Sequence, residues 1–177
     1  MPDPGEAVSV YVAVGSNIEP ERHITEAVRM LSEIMPLTGI STFYITRPID
    51  RPEQADYWNG MLRVTWTQTA RALKYDVLRP IEAALGRVRG PDKYAARTMD
   101  LDVAIFGEMV VDEPDLTIPD PDLLQRPFLA AALLDLEPDF VVPGTGAALK
   151  DLVNTDALHG LKPVKAFSEL LKERFLS

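Results

Sequence analysis

The 177-residue sequence contains no cysteine and only two histidines, His23 and His159. The lack of cysteine excludes disulfides, a thiol nucleophile and cysteine-ligated zinc or iron–sulfur centres. The two histidines are far apart and no HExxH motif is present, which argues against a histidine-based zinc hydrolase. No apolar run is long enough to span a bilayer, and the acidic, proline-containing start is unlike a signal peptide. We therefore expect a cytoplasmic protein with no membrane partner.

Positive charge is also scarce, because 18 Lys and Arg residues face 27 Asp and Glu residues, a net charge of -9. Binding to nucleic acid or anionic lipid depends on neutralised phosphates, so we expect no nucleic-acid partner. The aromatic pattern typical of RNA-recognition domains is also missing. Hydrophobic residues make up 46% of the chain and charged residues 25%, as in ordinary globular domains. We predict a single domain over residues 1–177.

Apolar periodicity predicts the element order strand, helix, strand, strand, helix, strand. The strands are expected over residues 8–14, 38–45, 57–67 and 100–106, the helices over about 20–35 and 70–85, and a possible short hairpin over 107–111. This order predicts an α+β fold, the ferredoxin-like βαββαβ sandwich, with both helices on one face of an antiparallel sheet. Pro80 removes a helical hydrogen bond at a cost of about 3 kcal/mol, so we expect a kink there or a later helix start.

The chain after Pro114 is rich in Pro and Asp, with helical patterns over about 128–136 and 149–158. A C-terminal helical extension over about 161–177 follows the core, which we place at about 8–152. Its apolar residues recur at helical spacing: Val164, Phe167, Leu170, Leu171 and Phe175. A helix this short needs a packing partner, and we favour docking on its own domain over a dimer contact. A monomer or a weak dimer is expected.

Two aspartates in the strand Arg97-Thr98-Met99-Asp100-Leu101-Asp102-Val103-Ala104-Ile105-Phe106 are the strongest chemical signal. A period of two places Asp100 and Asp102 on one face, with Cα atoms ~6.6 Å apart, and Met99, Leu101, Val103 and Ile105 on the core face. Both carboxylates can then reach one metal ion or bridge two, and hard oxygen ligands favour Mg²⁺. The alternative is a pair of solvated aspartates on an exposed strand, although like charges at this spacing repel.

The segment before this strand is cationic. Residues 79–97 contain five basic and two acidic residues, a local charge of +3. Arginine forks together with Mg²⁺ bind polyphosphate well, so the cluster beside the aspartates indicates a nucleotide site. Any one of these arginines alone also fits a solvated surface charge. No P-loop sequence occurs, so the phosphates are held in another way.

Several segments in order along residues 8–152 resemble the 6-hydroxymethyl-7,8-dihydropterin pyrophosphokinase family of the folate pathway. The most specific is Arg97-Thr98-Met99-Asp100-Leu101-Asp102; the others are residues 11–17, 56–59, 85–89, 116–119 and 126–128. The resemblance implies the ferredoxin-like fold and transfer of pyrophosphate from ATP to the hydroxymethyl oxygen of 6-hydroxymethyl-7,8-dihydropterin, releasing AMP. A non-catalytic or weakened nucleotide- or small-molecule-binding module on the same scaffold remains the alternative.

The resemblance also implies roles for single residues. Asp100 and Asp102 would hold two Mg²⁺ ions and form the catalytic set with Arg87 and Arg97. The implied ATP-binding residues are Glu82, Arg87, Arg89, Arg97, Val103, Thr117 and Arg126. The implied pterin-binding residues are Thr46, Ile49, Tyr57, Asn59, Tyr94 and Phe128, with the rings of Tyr57 and Phe128 suited to stacking on the bicycle and the amide of Asn59 suited to pairing with its edge.

Three positions depart from the family pattern. Arg47 stands where proline is common, Asp115 where some members carry a basic residue, and Asp120-Pro121 where a histidine and an aromatic residue are usual. A carboxylate that faces the phosphates of ATP weakens binding unless it points away or meets a metal. We therefore expect nucleotide affinity or turnover below the family norm.

Overall fold

The computed structural model describes residues 2–48, 51–92 and 95–176. The strands are β1 (Val8–Ser16), β2 (Leu37–Ile40), β3 (Tyr44–Thr46), β4 (Tyr57–Trp66), β5 (Asp100–Phe106), β6 (Val111–Glu113), β7 (Leu116–Ile118) and β8 (Lys162–Pro163). The helices are α1 (Pro20–Ile34), α2 (Ala70–Ala72), α3 (Arg79–Ala84), α4 (Pro127–Leu136), α5 (Leu149–Leu152), α6 (Thr155–His159) and α7 (Lys165–Phe175). In this described part of the chain, no helix is long and apolar enough to cross a bilayer.

A six-stranded antiparallel sheet organises the described residues. Its order is β5-β1-β4-β3-β8, and β2 pairs with β4 beside β3. The predicted second strand is therefore split into β2 and β3. Between them, the hydroxyl of Ser41 accepts the Met61 backbone N–H at 2.8 Å, while the Ser41 N–H donates to the Met61 carbonyl at 2.9 Å. A side chain replaces one backbone acceptor, so the two strands stay attached to β4 across the break.

The strand that carries the aspartate pair contains a β-bulge. Tyr11 of β1 pairs with Ile105, and the next residue, Val12, pairs with Val103, which leaves Ala104 as the extra residue. The prediction that Ile105 shares the core face of Leu101 and Val103 is therefore wrong. Ile105 packs with Tyr11 on the opposite face of the sheet, and both faces are buried there. Asp100 and Asp102 precede the bulge and keep the predicted common face.

The two predicted helices, which are α1 and the continuous helix from α2 to α3, cover one face of the sheet. Helix α1 begins at Pro20 as predicted and buries Ile24, Ala27, Val28 and Leu31. Before Pro80, residues Leu73–Leu78 form a π-helical stretch between α2 and α3, and the Arg79 N–H donates to the carbonyl of Lys74 five residues back. The wider turn accommodates the proline ring without the sharp break that a regular α-helix would require. The expected kink is thus a π-helical stretch inside a continuous helix.

The short hairpin lies further along the chain than predicted. Phe106 is followed by a turn at Gly107, whose φ of 52° is in the left-handed region, and β6 pairs with β7 from Val111↔Ile118 to Glu113↔Leu116. Pro114 and Asp115 form its two-residue loop. The start of the Pro- and Asp-rich segment is therefore a hairpin turn.

The opposite face of the sheet is covered by α4 and the elements after it. Leu129, Ala130 and Leu133 of α4 pack with Tyr11, Met61 and Ile105 in a second apolar cluster. The predicted helix at 149–158 consists of two short helices, because the Asn154 side chain caps α6 by accepting from the Asp156 N–H at 3.0 Å. Phe167, Leu171 and Phe175 of α7, and Val164 just before it, contact the main core. Leu170 is 56% exposed and does not belong to the buried stripe.

Candidate functional site

A cavity of about 590 Å³ opens where β1 ends and β4 and β5 begin. Eight of the residues predicted for the site line it: Thr46, Tyr57, Asn59, Arg97, Asp100, Asp102, Arg126 and Phe128. Sequence separations of more than 80 residues are closed by the sheet, since Gly15 of β1 lies opposite both Asn59 and Asp100. The fold therefore brings to one cavity both predicted metal residues, two of the predicted ATP-binding arginines and four of the predicted pterin residues.

The two aspartates differ in their partners. Asp100 accepts hydrogen bonds from Arg87 at 3.1 Å and Arg97 at 3.0 Å. Asp102 makes no hydrogen bond or ion pair with the residues that the structure describes, although its surface is open to the cavity. Confinement by the surrounding protein, followed by the nearby carboxylates of Asp100, Glu82 and Asp120, raises the pKa of Asp102 to about 7. Arg79 lowers the pKa of Asp102, but this effect is smaller than those of burial and of the neighbouring carboxylates.

Glu82 organises the cationic side of the site from behind the cavity. Its side chain is 2% exposed and accepts from the Leu101 N–H at 2.9 Å, from Arg87 at 2.5 Å and from Arg89 at 2.5 Å. Burial raises the pKa of Glu82, while the Leu101 N–H and Arg87 lower it. None of Glu82, Arg87 and Arg89 is among the lining residues of the cavity. Glu82 therefore fixes the direction from which Arg87 reaches Asp100.

The other end of the cavity is built from β3, β4 and the start of α4. The Asn59 amide donates to the hydroxyl of Thr46 at 2.7 Å, which fixes the orientation of the amide plane. Its carbonyl oxygen lies over Gly15, where an added Cβ would be 2.4 Å away. Tyr57 and Phe128 border the same space, and burial raises the pKa of Tyr57. Aromatic rings and an oriented amide are groups that suit a flat, partly polar ligand.

Asn17 holds together two loops next to the cavity, a role that the sequence did not reveal. Its side-chain oxygen accepts from the Arg97 N–H at 2.8 Å, and its own N–H donates to the Arg97 carbonyl at 3.1 Å. Its amide also donates to Gln54 at 3.1 Å and to the Ala55 carbonyl at 3.2 Å. Asn17 thus joins the loop before β4 to the loop before β5. Asn17 ends the segment 11–17 that carries part of the family resemblance, but its partners are distant in sequence and its role does not follow from the local pattern.

Of the four remaining predicted residues, two do not line the cavity and two lie outside the residues that the structure describes. Val103 is buried in the core and is not among the lining residues. Thr117 is exposed on β7 and is not among the lining residues. Ile49 and Tyr94 lie outside the described residues.

The departures from the family pattern have different orientations. Asp115 pairs with Arg71 at 2.8 Å and accepts from the Tyr75 hydroxyl, and these partners hold its pKa well below the usual range. It therefore points away from the cavity. Asp120 and Arg47 do line the cavity. Asp120 accepts from the Asp122 N–H at 2.9 Å and so caps the helical turn Pro121–Leu123, and burial raises the pKa of Asp120.

Comparison with known proteins gives consistent matches. Residues 11–138 match the family model described as 7,8-dihydro-6-hydroxymethylpterin-pyrophosphokinase. A 2-amino-4-hydroxy-6-hydroxymethyldihydropteridine pyrophosphokinase of Pseudomonas aeruginosa is 34% identical over 156 residues, 86% of this chain and 94% of that protein. The protein of the same name from Haemophilus influenzae is 30% identical over 155 residues, with 86% and 95% covered.

Longer relatives match over part of their length. The folic acid synthesis protein fol1 of Pneumocystis carinii is 30% identical over 161 residues, which are 90% of this chain and 22% of that protein. A crystal structure of Plasmodium falciparum HPPK-DHPS superposes with a TM-score of 0.62 at 12% identity, covering 88% of this chain and 44% of that one. This chain therefore spans less than half of both longer proteins. The structural likeness shows a mixed α/β fold with an antiparallel sheet.

Proposed function

Because the chain belongs to the 7,8-dihydro-6-hydroxymethylpterin-pyrophosphokinase family, we propose that its cavity transfers the pyrophosphoryl group of ATP to the hydroxymethyl oxygen of 6-hydroxymethyl-7,8-dihydropterin. The enzyme is a transferase of folate synthesis, and AMP is its second product. One observation carries the assignment to this cavity. The carboxylate of Asp102, which has no hydrogen-bond or ion-pair partner among the described residues, lines the same space as Asp100, Arg97, Tyr57 and Phe128.

The donor set supports binding of Mg²⁺. The described residues contain no cluster of three or more histidine, cysteine, aspartate or glutamate side chains that could enclose a metal ion. Two carboxylates in an open cavity instead suit Mg²⁺, which is commonly held by one or two carboxylates, with substrate phosphates and water completing its coordination. When bound, Mg²⁺ neutralises phosphate charge and favours ionisation of the attacking hydroxyl. We assign this role to Asp100 and Asp102, with two ions as the expected number.

The arginines supply the remaining positive charge. In the structure, Arg87 and Arg97 neutralise Asp100. When ATP binds, these guanidinium groups move to phosphate oxygens. Arg126, which lines the cavity just before α4, contacts the nucleotide as well. Arg89 and Arg87 both pair with Glu82, so Arg89 stays close to Arg87 and adds positive charge to the same side of the site. The site then concentrates donors where negative charge develops, between the α- and β-phosphates.

The pterin end positions the nucleophile. The ring stacks between Tyr57 and Phe128, and the Asn59 amide, oriented by Thr46, pairs with its polar edge. The hydroxymethyl oxygen attacks the β-phosphorus, the bond from that phosphorus to the α-phosphate oxygen breaks, and the hydroxyl proton is released. The protein contributes orientation and charge, and no covalent enzyme intermediate is formed.

Matched aspartate substitutions test this assignment. Asp100→Asn and Asp102→Asn should each lower AMP release by about 10²-fold or more, because each removes negative charge from the proposed metal site. Neither side chain fills the core, and in Asp100→Asn the buried Arg87 keeps its pair with Glu82. The melting temperature should therefore fall by at most about 4 °C, which corresponds to about 1 kcal/mol. Asp112→Asn, on the exposed hairpin, is the control and should leave both quantities unchanged. Near-wild-type turnover in either site variant would contradict the assignment.

Binding measurements separate the enzyme from a binding module. Calorimetric titration with a non-hydrolysable ATP analogue should show Mg²⁺-dependent binding to the wild-type protein, weakened in Asp102→Asn. Mg²⁺-dependent binding without AMP release from ATP and the dihydropterin would identify a non-catalytic module instead.

The finer architectural expectations belong to the same proposal. The order β5-β1-β4-β3 supports a ferredoxin-like arrangement, in which β2 and β3 together act as its second strand. Helix α7 supports a C-terminal helical extension of a single domain. The cytoplasmic location, the state as monomer or weak dimer and the lack of nucleic-acid or membrane partners stay predictions.

A further inference from the structure

The C-terminal segment forms an edge of the sheet next to the cavity. In the pairing of β3 with β8, Tyr44 lies opposite Pro163 and Ile45 opposite Lys162. Extending this antiparallel register by one residue places Leu161 opposite Thr46. Thr46 is the residue whose hydroxyl orients the Asn59 amide. The segment therefore runs beside the strand that supports the proposed pterin subsite.

The position of this segment is fixed by buried contacts of α7. The Val164 N–H donates to the Phe43 carbonyl at 2.7 Å, and the Phe43 N–H donates to the Ser168 hydroxyl at 2.8 Å. The Ser168 hydroxyl in turn donates to the Val164 carbonyl at 2.7 Å. The Phe167 ring lies 5.7 Å from that of Phe43 and 5.1 Å from that of Trp58. These contacts leave the chain just before β8 little freedom to move away from β3.

Leu161 itself lines the cavity and is the one contribution of residues 137–176 to its lining. We infer that Leu161 is a wall of the pterin subsite and a specificity-determining residue for the pterin substrate. The inference rests on the proposed function. It extends the site to a part of the chain beyond residues 11–138, which match the family model.

Sheet order separates Leu161 from the phosphate end. Asp100 and Asp102 lie on β5, and four strand-to-strand steps lead from β5 to β8, roughly 19 Å at the usual strand spacing. A residue at the β8 end is therefore beside the pterin and remote from the metal and phosphate positions. Its side chain is apolar and half-buried, which suits contact with a flat ring and not with phosphate.

Two opposite changes in volume test the inference. Leu161→Ala removes the wall, and Leu161→Trp fills the space in front of it. Steady-state AMP release is measured for both variants with either substrate varied, and 6-hydroxymethylpterin binding is measured by calorimetry in the presence of a non-hydrolysable ATP analogue. We expect the KM for the dihydropterin to rise roughly 5- to 20-fold in Leu161→Ala, the loss expected for part of a leucine contact, and further in Leu161→Trp. The KM for ATP should stay within about twofold in both.

Leu170→Ala is the matched control, because Leu170 is an exposed leucine of the same segment and does not line the cavity. Its kinetic constants should equal those of the wild type. If both Leu161 variants keep the wild-type KM for the dihydropterin, the inference is overturned while the proposed function stands. Equal rises in the KM for ATP and for the dihydropterin would also overturn it, because they indicate a general structural effect. A wild-type protein that releases no AMP would instead refute the proposed function.

Discussion

Substitutions of Glu82 test how much a buried cluster of ion pairs contributes to the free energy of unfolding. Glu82→Gln keeps an oxygen that can accept from the Leu101 N–H but removes the charge that Arg87 faces, and the Arg87 side chain is only 9% exposed. Removing one partner of a buried pair commonly costs about 3–5 kcal/mol. Asp100 still pairs with Arg87, and the raised pKa of Glu82 shows that burial already opposes its charge. We therefore expect a smaller loss, about 2 kcal/mol of unfolding free energy.

Glu82→Ala should cost more, about 4 kcal/mol, because it also leaves the buried Leu101 N–H without an acceptor and opens a cavity. For a chain of this size, each kcal/mol lowers the melting temperature by roughly 2–4 °C. Calorimetry at pH 7 should therefore show decreases of about 4–8 °C for Glu82→Gln and about 8–16 °C for Glu82→Ala. Glu113→Gln is the control, because its pair with Arg71 is exposed and should contribute less than about 1 kcal/mol. An equal shift for Glu113→Gln, or no difference between the two Glu82 variants, would refute the reasoning.

Three further predictions concern close contacts and proton binding. Gly15→Ala places a Cβ 2.4 Å from the Asn59 side-chain oxygen and should raise the KM for the dihydropterin by about tenfold or more in kinetic assays, with the KM for ATP unchanged. Gly60→Ala instead meets the buried Phe43 ring at 2.7 Å and should lower stability by about 1–3 kcal/mol in urea unfolding. Because the metal-free pKa of Asp102 is about 7, Mg²⁺ must compete with a proton below that pH. Calorimetric Mg²⁺ affinity should fall by up to about tenfold per pH unit below 7 and lose this dependence in Asp102→Asn; a flat profile in the wild type would contradict the protonation argument.

Sequence reasoning succeeded where the signal is local. The spacing of Ile24, Val28 and Leu31 predicts α1 because a helix repeats every 3.6 residues, and the observed helix buries these positions. The alternation around Asp100 and Asp102 likewise predicts a shared face, since strand geometry requires no knowledge of the partner strand. These features depend on neighbours within one turn or one strand.

The errors arise where pairing between distant strands decides the outcome. Ile105 follows the alternation of its own strand, but the bulge at Ala104 depends on the register with β1 and moves Ile105 to the other face. The break between β2 and β3 similarly depends on Ser41 meeting Met61, 20 residues away. The residue pattern within one β-strand does not reveal which residues of another strand it pairs with. Asn17 escaped for the same reason, because its partner Arg97 is 80 residues distant.

Charge at the site shows a second limit of sequence reasoning. The cationic segment predicts phosphate binding, and Arg97 and Arg126 do line the cavity. However, the segment does not distinguish an arginine that reaches a ligand from one held by a buried acid. Glu82 binds Arg87 and Arg89 behind the cavity, so part of the local positive charge is already neutralised. The count of +3 for residues 79–97 already includes Glu82. Asp100, outside that range, also pairs with Arg87 and Arg97, so the net charge available to ATP is smaller than the count suggests.

Asp115 and Asp120 show that the effect of a departure from a family pattern depends on where the side chain points. Both place a carboxylate where the family resemblance suggested weaker nucleotide binding. The hairpin turns Asp115 toward Arg71 and Tyr75, where its charge is neutralised away from the cavity. Asp120 caps a helical turn that faces the cavity, and its charge raises the pKa of Asp102. Of these two residues, only Asp120 is placed to repel the phosphates of ATP. A cation bound at Asp102 would offset this repulsion.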